Sequence, residues 1–389
     1  MKSASMFKPG IIEKIRQVRT PFYYYDMEVL NATIQRCTME AVRYGYHLHY
    51  ALKANSNPGI LKIISSAGFG ADCVSGNEVK AALEYGFQAN RIVFAGVGKT
   101  DDELQLALHH GIQSINVESI QEMEVINNLA SGMGVKARVS LRIIPNVDAH
   151  THRYITTGLE ENKFGILPWQ FDTVLEKLGS LDSLELQGLH FHIGSQITDL
   201  AVFKSLCERV NEINAWFMEQ GYLTDIINVG GGLGVDYSQP DKCSIPDFAS
   251  YFGIFHDLIE LQGRQQLHFE PGRAIVAQCG SLITRVLFVK EGVNTRFAIV
   301  DAGMNDLLRP ALYQSYHKIE NLTSTGEKRK YDVVGPVCES SDCFGKAVIL
   351  PETRRGDLIA IRSAGAYGQT MASRYNLRDL AGEIYSDEL

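Results

Sequence analysis

A chain of 389 residues that is 45% hydrophobic can build one large core and a smaller second domain. Its net charge of −8 and lack of any Lys/Arg-rich run argue against nucleic acid as a partner. No apolar run approaches the ~18–20 residues of a membrane span, and Met1 to Gly10 lacks the apolar stretch of a secretory signal. The seven cysteines include no Cys-x-x-Cys pair, and the Cys338/Cys343 spacing does not suit a zinc knuckle. They read as free thiols in a reducing cytoplasm, with no metal site expected.

The first strand candidate is Phe22-Tyr23-Tyr24-Tyr25. It precedes the main pattern and is expected to join a C-terminal sheet. A β/α alternation then dominates. Short apolar runs near 47–52, 71–74, 92–95, 114–117, 138–144, 187–192, 226–230 and 267–270 read as strands separated by helical patterns. Capping boxes are expected at Ser75/Glu78, Thr100/Glu103 and Ser119/Glu122, with Gly86 and Gly111 at helix ends. Eight such strands in roughly 230 residues predict a (β/α)8 barrel. The competing architecture, a doubly wound open sheet, would gather functional residues near one switch point. Here Lys53, Gly96 to Lys99, His192 to Gln196, Gly230 to Gly232 and Glu270 to Arg273 follow several different strands. Beyond residue 273, segments 280–290, 296–301, 331–334, 346–350 and 357–362 read as strands of a mostly β domain, and Asn321 to Lys330 as a surface loop. The expected division is 1–26 as a segment joining the C-terminal domain, 27–273 as the barrel and 274–389 as the β domain.

Four features carry chemistry. Lys53, in Tyr50-Ala51-Leu52-Lys53-Ala54-Asn55, ends a buried strand. Such a lysine can form a Schiff base with an aldehyde, although many simply reach water. His190 and His192 fall on one face of a strand that runs into Gly194-Ser195-Gln196; they are structural, or one stacks on a ring while Ser195 binds a phosphate. Gly230-Gly231-Gly232 is a tight turn or a phosphate cradle. It is not a Walker motif and does not open the first βα unit. Glu270, in Glu270-Pro271-Gly272-Arg273, is a surface ion-pair member or a carboxylate that keeps a pyridine nitrogen protonated, making the ring an electron sink.

With these residues in hand, the chain resembles the fold-type III pyridoxal-phosphate enzymes and, within them, the diaminopimelate-decarboxylating family. The resemblance runs from about Thr20 to about Asn376. It rests on Tyr50 to Asn55, Gly70 to Gly76, Thr156-Thr157-Gly158 with Asn162-Lys163-Phe164-Gly165, His192 to Gln196, Gly230 to Gly232 and Glu270 to Arg273. Further matches are Arg309-Pro310-Ala311-Leu312-Tyr313, Gly335 to Glu339 and Gly365-Ala366-Tyr367-Gly368. It implies an alanine-racemase-like fold, α/β with a TIM-like barrel and a mostly β domain, and pyridoxal 5'-phosphate as cofactor. By that resemblance Lys53 would hold the cofactor, Asp72 would sit near Lys53, His192 would stack on the ring and Glu270 would bond the pyridine nitrogen. Ser195, Gly230, Gly231, Gly232, backbone around Gly272 and Arg273, and Tyr367 would bind the phosphate side. Cys338 would be the general acid, contributed by the second chain of a homodimer. Val97, where a polar residue is expected, and Ser341, where glycine is commoner, depart from the pattern.

The implied reaction converts meso-diaminopimelate to L-lysine and carbon dioxide, the last step of lysine biosynthesis, in the cytoplasm. A substrate ending in both amine and carboxylate calls for arginine, whose planar fork binds carboxylate bidentately. Arg273 and Arg309 are the candidates, with Tyr313 and Tyr367 assisting and Glu339 taking the amine. The alternatives are a decarboxylase of the ornithine/arginine type, whose substrates need only an acidic contact, and a non-catalytic pyridoxal-phosphate-binding regulator.

Overall fold

The computed structural model describes residues 6–148 and 163–389. The chain divides into two units. One takes the chain up to Thr33, Val235–Pro246 and Arg273–Leu389, and the other Ile34–Gly234 and Asp247–Gly272. The first strand, β1 (Phe22–Tyr25), belongs to the former.

The second unit is a closed parallel barrel of eight strands. They are β2 (His47–Ala51), β3 (Gly70–Cys73), β4 (Ile92–Phe94), β5 (Ser114–Val117), β6 (Ala137–Ile143), β7 (Leu184–Phe191), β8 (Ile226–Asn228) and β9 (Gln266–Phe269). Closure is made by β9 pairing with β2, His268 opposite His47. Period-2 alternation decides what faces where. On β9, Phe269 packs its ring against Phe252 and Phe255 of the helix Phe248–Leu258, at 4.9 and 5.0 Å. Burying aromatic rings of this kind contributes about 1.5–3 kcal/mol each. His268, on the opposite face, meets His49 of β2, with His49 Nε2 and His268 Nδ1 2.8 Å apart. Ser114 and Ser140 hydrogen-bond at 2.8 Å between β5 and β6. The barrel interior is therefore substantially polar, in contrast to the branched aliphatic layers usual in this architecture.

Helix starts around the barrel fall at the expected residues, but two of the three expected capping boxes do not close. Thr100 and Glu103 form a reciprocal capping box on the helix Asp101–His110, which ends at left-handed Gly111. Ser75 and Ser119 accept from Glu78 N and Glu122 N. The carboxylates of Glu78 and Glu122, however, take Val74 N and Glu118 N, at 2.7 and 2.6 Å. Each carboxylate satisfies the amide one residue before the cap, so these two are not closed boxes.

The first unit is an eight-stranded, mostly antiparallel sheet. Its remaining strands are β10 (Gly280–Glu291), β11 (Arg296–Val300), β12 (Ile319–Asn321), β13 (Lys328–Val334), β14 (Cys343–Pro351), β15 (Leu358–Ile361) and β16 (Gly382–Tyr385). They run in the order β12-β15-β10-β11-β13-β14, with β1 paired antiparallel to β10 and parallel to β16. Phe22 and Tyr24 of β1 join Phe7, Ile15, Ile283, Leu358 and Ala360 in one apolar cluster. The stretch expected as a loop, Asn321 to Lys330, is only partly one: Asn321 closes β12 and Lys328 opens β13. No helix among the described residues is long and apolar enough to cross a membrane.

Candidate active site

In the barrel unit, chemistry-bearing side chains stand at the carboxyl ends of the strands, where barrel sites form. β2 ends at Ala51 and the chain turns through a short 3-10 helix, Leu52–Ala54, leaving Lys53 just past the strand. Lys53 Nζ donates to Asp72 Oδ2 at 2.6 Å. Burial and the nearby Glu270 carboxylate push the Asp72 carboxyl up, against the pull of Lys53. Asp72 Oδ1 is buried without a partner in the protein among the described residues.

Glu270 follows β9 and is 6% exposed. Its two oxygens accept from His190 Nε2 at 3.1 Å and from Asn228 Nδ2 at 2.7 Å. A carboxylate only accepts, so His190 carries a proton on Nε2; its Nδ1 is buried without a partner among the described residues. Burial alone would raise Glu270, but His190 and Lys53 outweigh it and hold the carboxyl well below its ordinary range. Glu270 is thus an ionised, oriented carboxylate beneath a strand end. His192, one residue past β7, accepts at Nδ1 from Gly231 N at 3.4 Å. Burial first, then Lys53 and Arg142, hold it well below its usual value, so the ring is neutral.

The Gly230–Gly232 turn requires glycine. A Cβ on Gly231 would meet Glu270 O at 2.3 Å, and one on Gly230 would meet Phe191 O at 2.6 Å. Gly230 and Gly232 also adopt φ of 68° and 114°, which L-residues rarely take. Asn228 Oδ1 accepts from Gly230 N at 2.9 Å, so Asn228 fixes both the turn and Glu270. Ser195 is half-buried in the loop after His192. A Cβ on Gly272 would lie 3.0 Å from Ala51 Cβ.

In the sheet unit, Arg273 and Arg309 are both 5% exposed. Their Nη1 atoms donate to one oxygen, the Tyr237 hydroxyl, at 2.7 and 2.9 Å. Arg309 Nη1 also meets His317 Nε2 at 3.1 Å, and His317 Nδ1 donates to the Arg362 carbonyl at 2.9 Å. Arg309 Nε is buried without a partner, and no ion pair is made by Arg309 among the described residues. Burial and the neighbouring Arg273, against Tyr237, lower the Arg309 pKa. Arg309 opens the helix Arg309–Tyr313, whose i, i+4 spacing puts Tyr313 on the same face. Tyr367, at φ 58°, lies with its ring 4.8 Å from the Arg273 guanidinium carbon.

Cys338 and Glu339 are exposed on the sheet unit. Asp342 holds their loop: its oxygens accept from Val337 N at 2.6 Å and Met304 N at 2.7 Å. Asn376 Oδ1 accepts from Cys338 N at 3.2 Å. Ser341, the departure from glycine, donates to Glu339 Oε2 at 3.0 Å, and the Tyr375 hydroxyl donates to Glu339 Oε1. These two bonds, Tyr375 first, lower the Glu339 carboxyl. Val97 is 40% exposed, and nothing in the structure explains it. Thr156, Thr157, Gly158 and Asn162 lie outside the described residues.

The structure thus brings Lys53, Asp72, His192, Gly230–Gly232 and Glu270 together at the barrel rim, and Arg273, Arg309 and Tyr367 together in the sheet unit. Sequence reading missed Tyr237 and His317. It left His190 open as structural, and gave Asn228 no role.

Residues 30–277 match the family model described as pyridoxal-dependent decarboxylase, pyridoxal binding domain. Fold, rim and family model together define a pyridoxal-dependent decarboxylase. The chain is 56% identical over 379 residues to a diaminopimelate decarboxylase of Bacteroides thetaiotaomicron, covering 97% of this chain and 98% of that one. A crystal structure of diaminopimelate decarboxylase from Helicobacter pylori complexed with L-lysine superposes with a TM-score of 0.89 at 42% identity, covering 97% and 94%. A crystal structure of diaminopimelate decarboxylase from M. jannaschii in co-complex with L-lysine gives 0.88 at 34% identity, covering 96% and 89%. The chain therefore belongs to the diaminopimelate decarboxylase family of pyridoxal-dependent decarboxylases.

The cofactor of this family is pyridoxal phosphate, and the residues present fit it. An amine stands at a strand end beside a buried carboxylate with one oxygen unpartnered among the described residues. An ionised Glu270 is fixed by two donors, and a turn that no side chain can fill lies next to it.

Proposed function

We propose that this protein decarboxylates meso-diaminopimelate at its D-configured centre, releasing carbon dioxide and L-lysine as the last step of lysine biosynthesis. The observation that carries the choice of substrate is the Arg273/Arg309 pair: two buried cations sharing one phenol oxygen, with no ion pair to Arg309 among the described residues. A substrate tipped with a carboxylate supplies the missing anion; ornithine or arginine does not.

Bound pyridoxal phosphate supplies an aldehyde for amines and a ring that accepts the electron pair left on Cα when carbon dioxide departs. Lys53 anchors it, and Asp72, kept near Lys53 Nζ, manages that amine's proton. Glu270 stays ionised at catalytic pH and keeps the ring nitrogen protonated, with His190 and Asn228 holding its oxygens. His192, neutral, stacks on the ring. Ser195, the Gly230–Gly232 turn, backbone at Gly272 and Arg273, and the Tyr367 hydroxyl hold the phosphate. Arg273 and Arg309, with Tyr313 and Tyr367, take the substrate's distal carboxylate, and Glu339 takes its distal amine. Cys338 returns a proton to Cα. We assign Cys338 and Glu339 to the neighbouring copy in a cytoplasmic homodimer, which accords with their exposure and with the exposed apolar Leu377, Tyr316 and Leu312 of the same unit.

A substrate competition tests this reading. Purified protein with pyridoxal phosphate is offered meso-diaminopimelate, L-ornithine, L-arginine and L-lysine separately. Preference for meso-diaminopimelate is expected; ornithine or arginine turned over as efficiently would put the ornithine-type reading in its place.

A further inference from the structure

Tyr237 has no role in the assignments above, yet it sits at the centre of the arginine pair. Its hydroxyl oxygen accepts from Arg273 Nη1 at 2.7 Å and Arg309 Nη1 at 2.9 Å. A hydroxyl has two lone pairs, so both are used, and no acceptor for its own hydrogen is placed among the described residues. Two guanidinium groups this close repel one another, and a shared acceptor offsets that repulsion. The Arg309 guanidinium carbon also lies 5.0 Å from the Tyr237 ring, a cation–π distance. Burial would push the Tyr237 phenol up, but Arg273 and Arg309 outweigh it and bring it below its ordinary value.

His317 completes the arrangement. It is 2% exposed, and its ring stands edge-on to Tyr237 with centroids 5.1 Å apart. Its Nδ1 hydrogen is committed to the Arg362 carbonyl, so its Nε2 is an acceptor and takes a hydrogen from Arg309 Nη1 at 3.1 Å. Both hydrogens of that nitrogen are then used, which fixes the rotation of the guanidinium fork. Neither acceptor is a carboxylate. An aspartate or glutamate in place of Tyr237 would hold the arginines equally well but would neutralise them. A phenol and an imidazole orient the Arg309 cation and leave its charge for a ligand.

We propose that Tyr237 is a positioning residue that couples Arg273 and Arg309 into one carboxylate-binding unit, with His317 setting the rotation of Arg309. The inference rests on the reading that this pair takes the distal carboxylate of the substrate. It assigns the residue that arranges the cations, not a group that touches the reacting atoms.

Tyr237→Phe keeps the ring and removes only the shared oxygen. KM for meso-diaminopimelate is expected to rise about tenfold or more, as for loss of a hydrogen bond to a charged group. kcat should stay within about threefold, because uniform binding is what is lost. Cofactor absorbance should be unchanged. In an Arg309→Lys background the same substitution should change KM by less than about threefold, since residues acting through one another are not additive. His317→Leu is the second variant, and a raised KM with native cofactor absorbance is expected there too. An unmoved KM in Tyr237→Phe, a fall in kcat alone, or the same factor in both backgrounds would overturn the proposal. A Tyr237→Phe chain that fails to fold shifts the decision to His317→Leu, where an unmoved KM overturns it equally. Wild-type protein inactive on meso-diaminopimelate would overturn the functional reading itself. Active wild type beside an unmoved Tyr237→Phe overturns only the role of Tyr237.

Discussion

Arg309→Ala removes a cation that the fold has taken out of water. Arg309 is 5% exposed, so its attraction for a carboxylate is set by an effective dielectric near 20 rather than 80. At about 4 Å that corresponds to about 4 kcal/mol. Truncating one member of such a pair typically costs about 2–5 kcal/mol, or about thirty-fold to several thousand-fold in an equilibrium or specificity constant. The same change leaves His317 Nε2 and one lone pair of Tyr237 without their donor, which destabilises the folded chain by about 1–3 kcal/mol. Steady-state kinetics should therefore show kcat/KM for meso-diaminopimelate falling within that range, with the absorbance of bound cofactor intact. Any residual activity on L-lysine, which lacks the distal carboxylate, should change far less. A loss below about tenfold on meso-diaminopimelate, or an equal loss on lysine, would refute the assignment of Arg309 to the carboxylate.

Other outcomes follow from the barrel rim and the assembly. Borohydride reduction of the loaded protein followed by peptide mapping should place a pyridoxyl group on Lys53; a label on another lysine would remove Lys53 from its role. Glu270→Gln should lower kcat by more than it lowers cofactor affinity, because the phosphate contacts remain while the ring nitrogen loses its anion; near-native turnover would contradict the sink argument. Mixing Lys53→Ala chains with Cys338→Ala chains should restore partial activity, since one site of each mixed dimer regains both residues. No recovery despite confirmed subunit exchange would mean self-contained sites. His49 is held down to about 4 from 6.5 by burial, against the opposing pull of Glu270 and the Arg91 carbonyl. The unfolded chain takes up that proton below about pH 6.5 and the folded chain does so only near pH 4. Stability present above pH 6.5 should thus be lost as pH falls through that window, by up to about 3 kcal/mol. Denaturant melts that are flat between pH 6.5 and 4.5 would contradict it.

The barrel was legible because each strand is a short apolar run bounded by a cap or a glycine, and the period separates strand from helix without tertiary information. Lys53, Glu270 and the Gly230–Gly232 turn were legible for a related reason: each directly follows such a run. Their partners were less so. His190 lies on the same strand face as His192, but its bond to Glu270 joins residues far apart in sequence. Tyr237 was invisible, because its partners lie 36 and 72 positions away and its segment, Val235–Pro246, leaves the barrel unit for the sheet unit. β16 escaped notice because Gly382-Glu383-Ile384-Tyr385 carries no apolar run; β1 alongside it defines the strand. The caps at Ser75 and Ser119 show the limit of motif reading. The Ser-x-x-Glu spacing marks the helix start, while the carboxylate is free to choose the amide one residue earlier.

The central claim is the reaction, and its direct measurement is stoichiometric. Purified protein with pyridoxal phosphate and meso-diaminopimelate labelled in its carboxyl groups should release labelled carbon dioxide and L-lysine in equal amounts, with no D-lysine. Consumption of substrate without carbon dioxide, as in racemisation, or no consumption by protein carrying the cofactor on Lys53, would contradict the account.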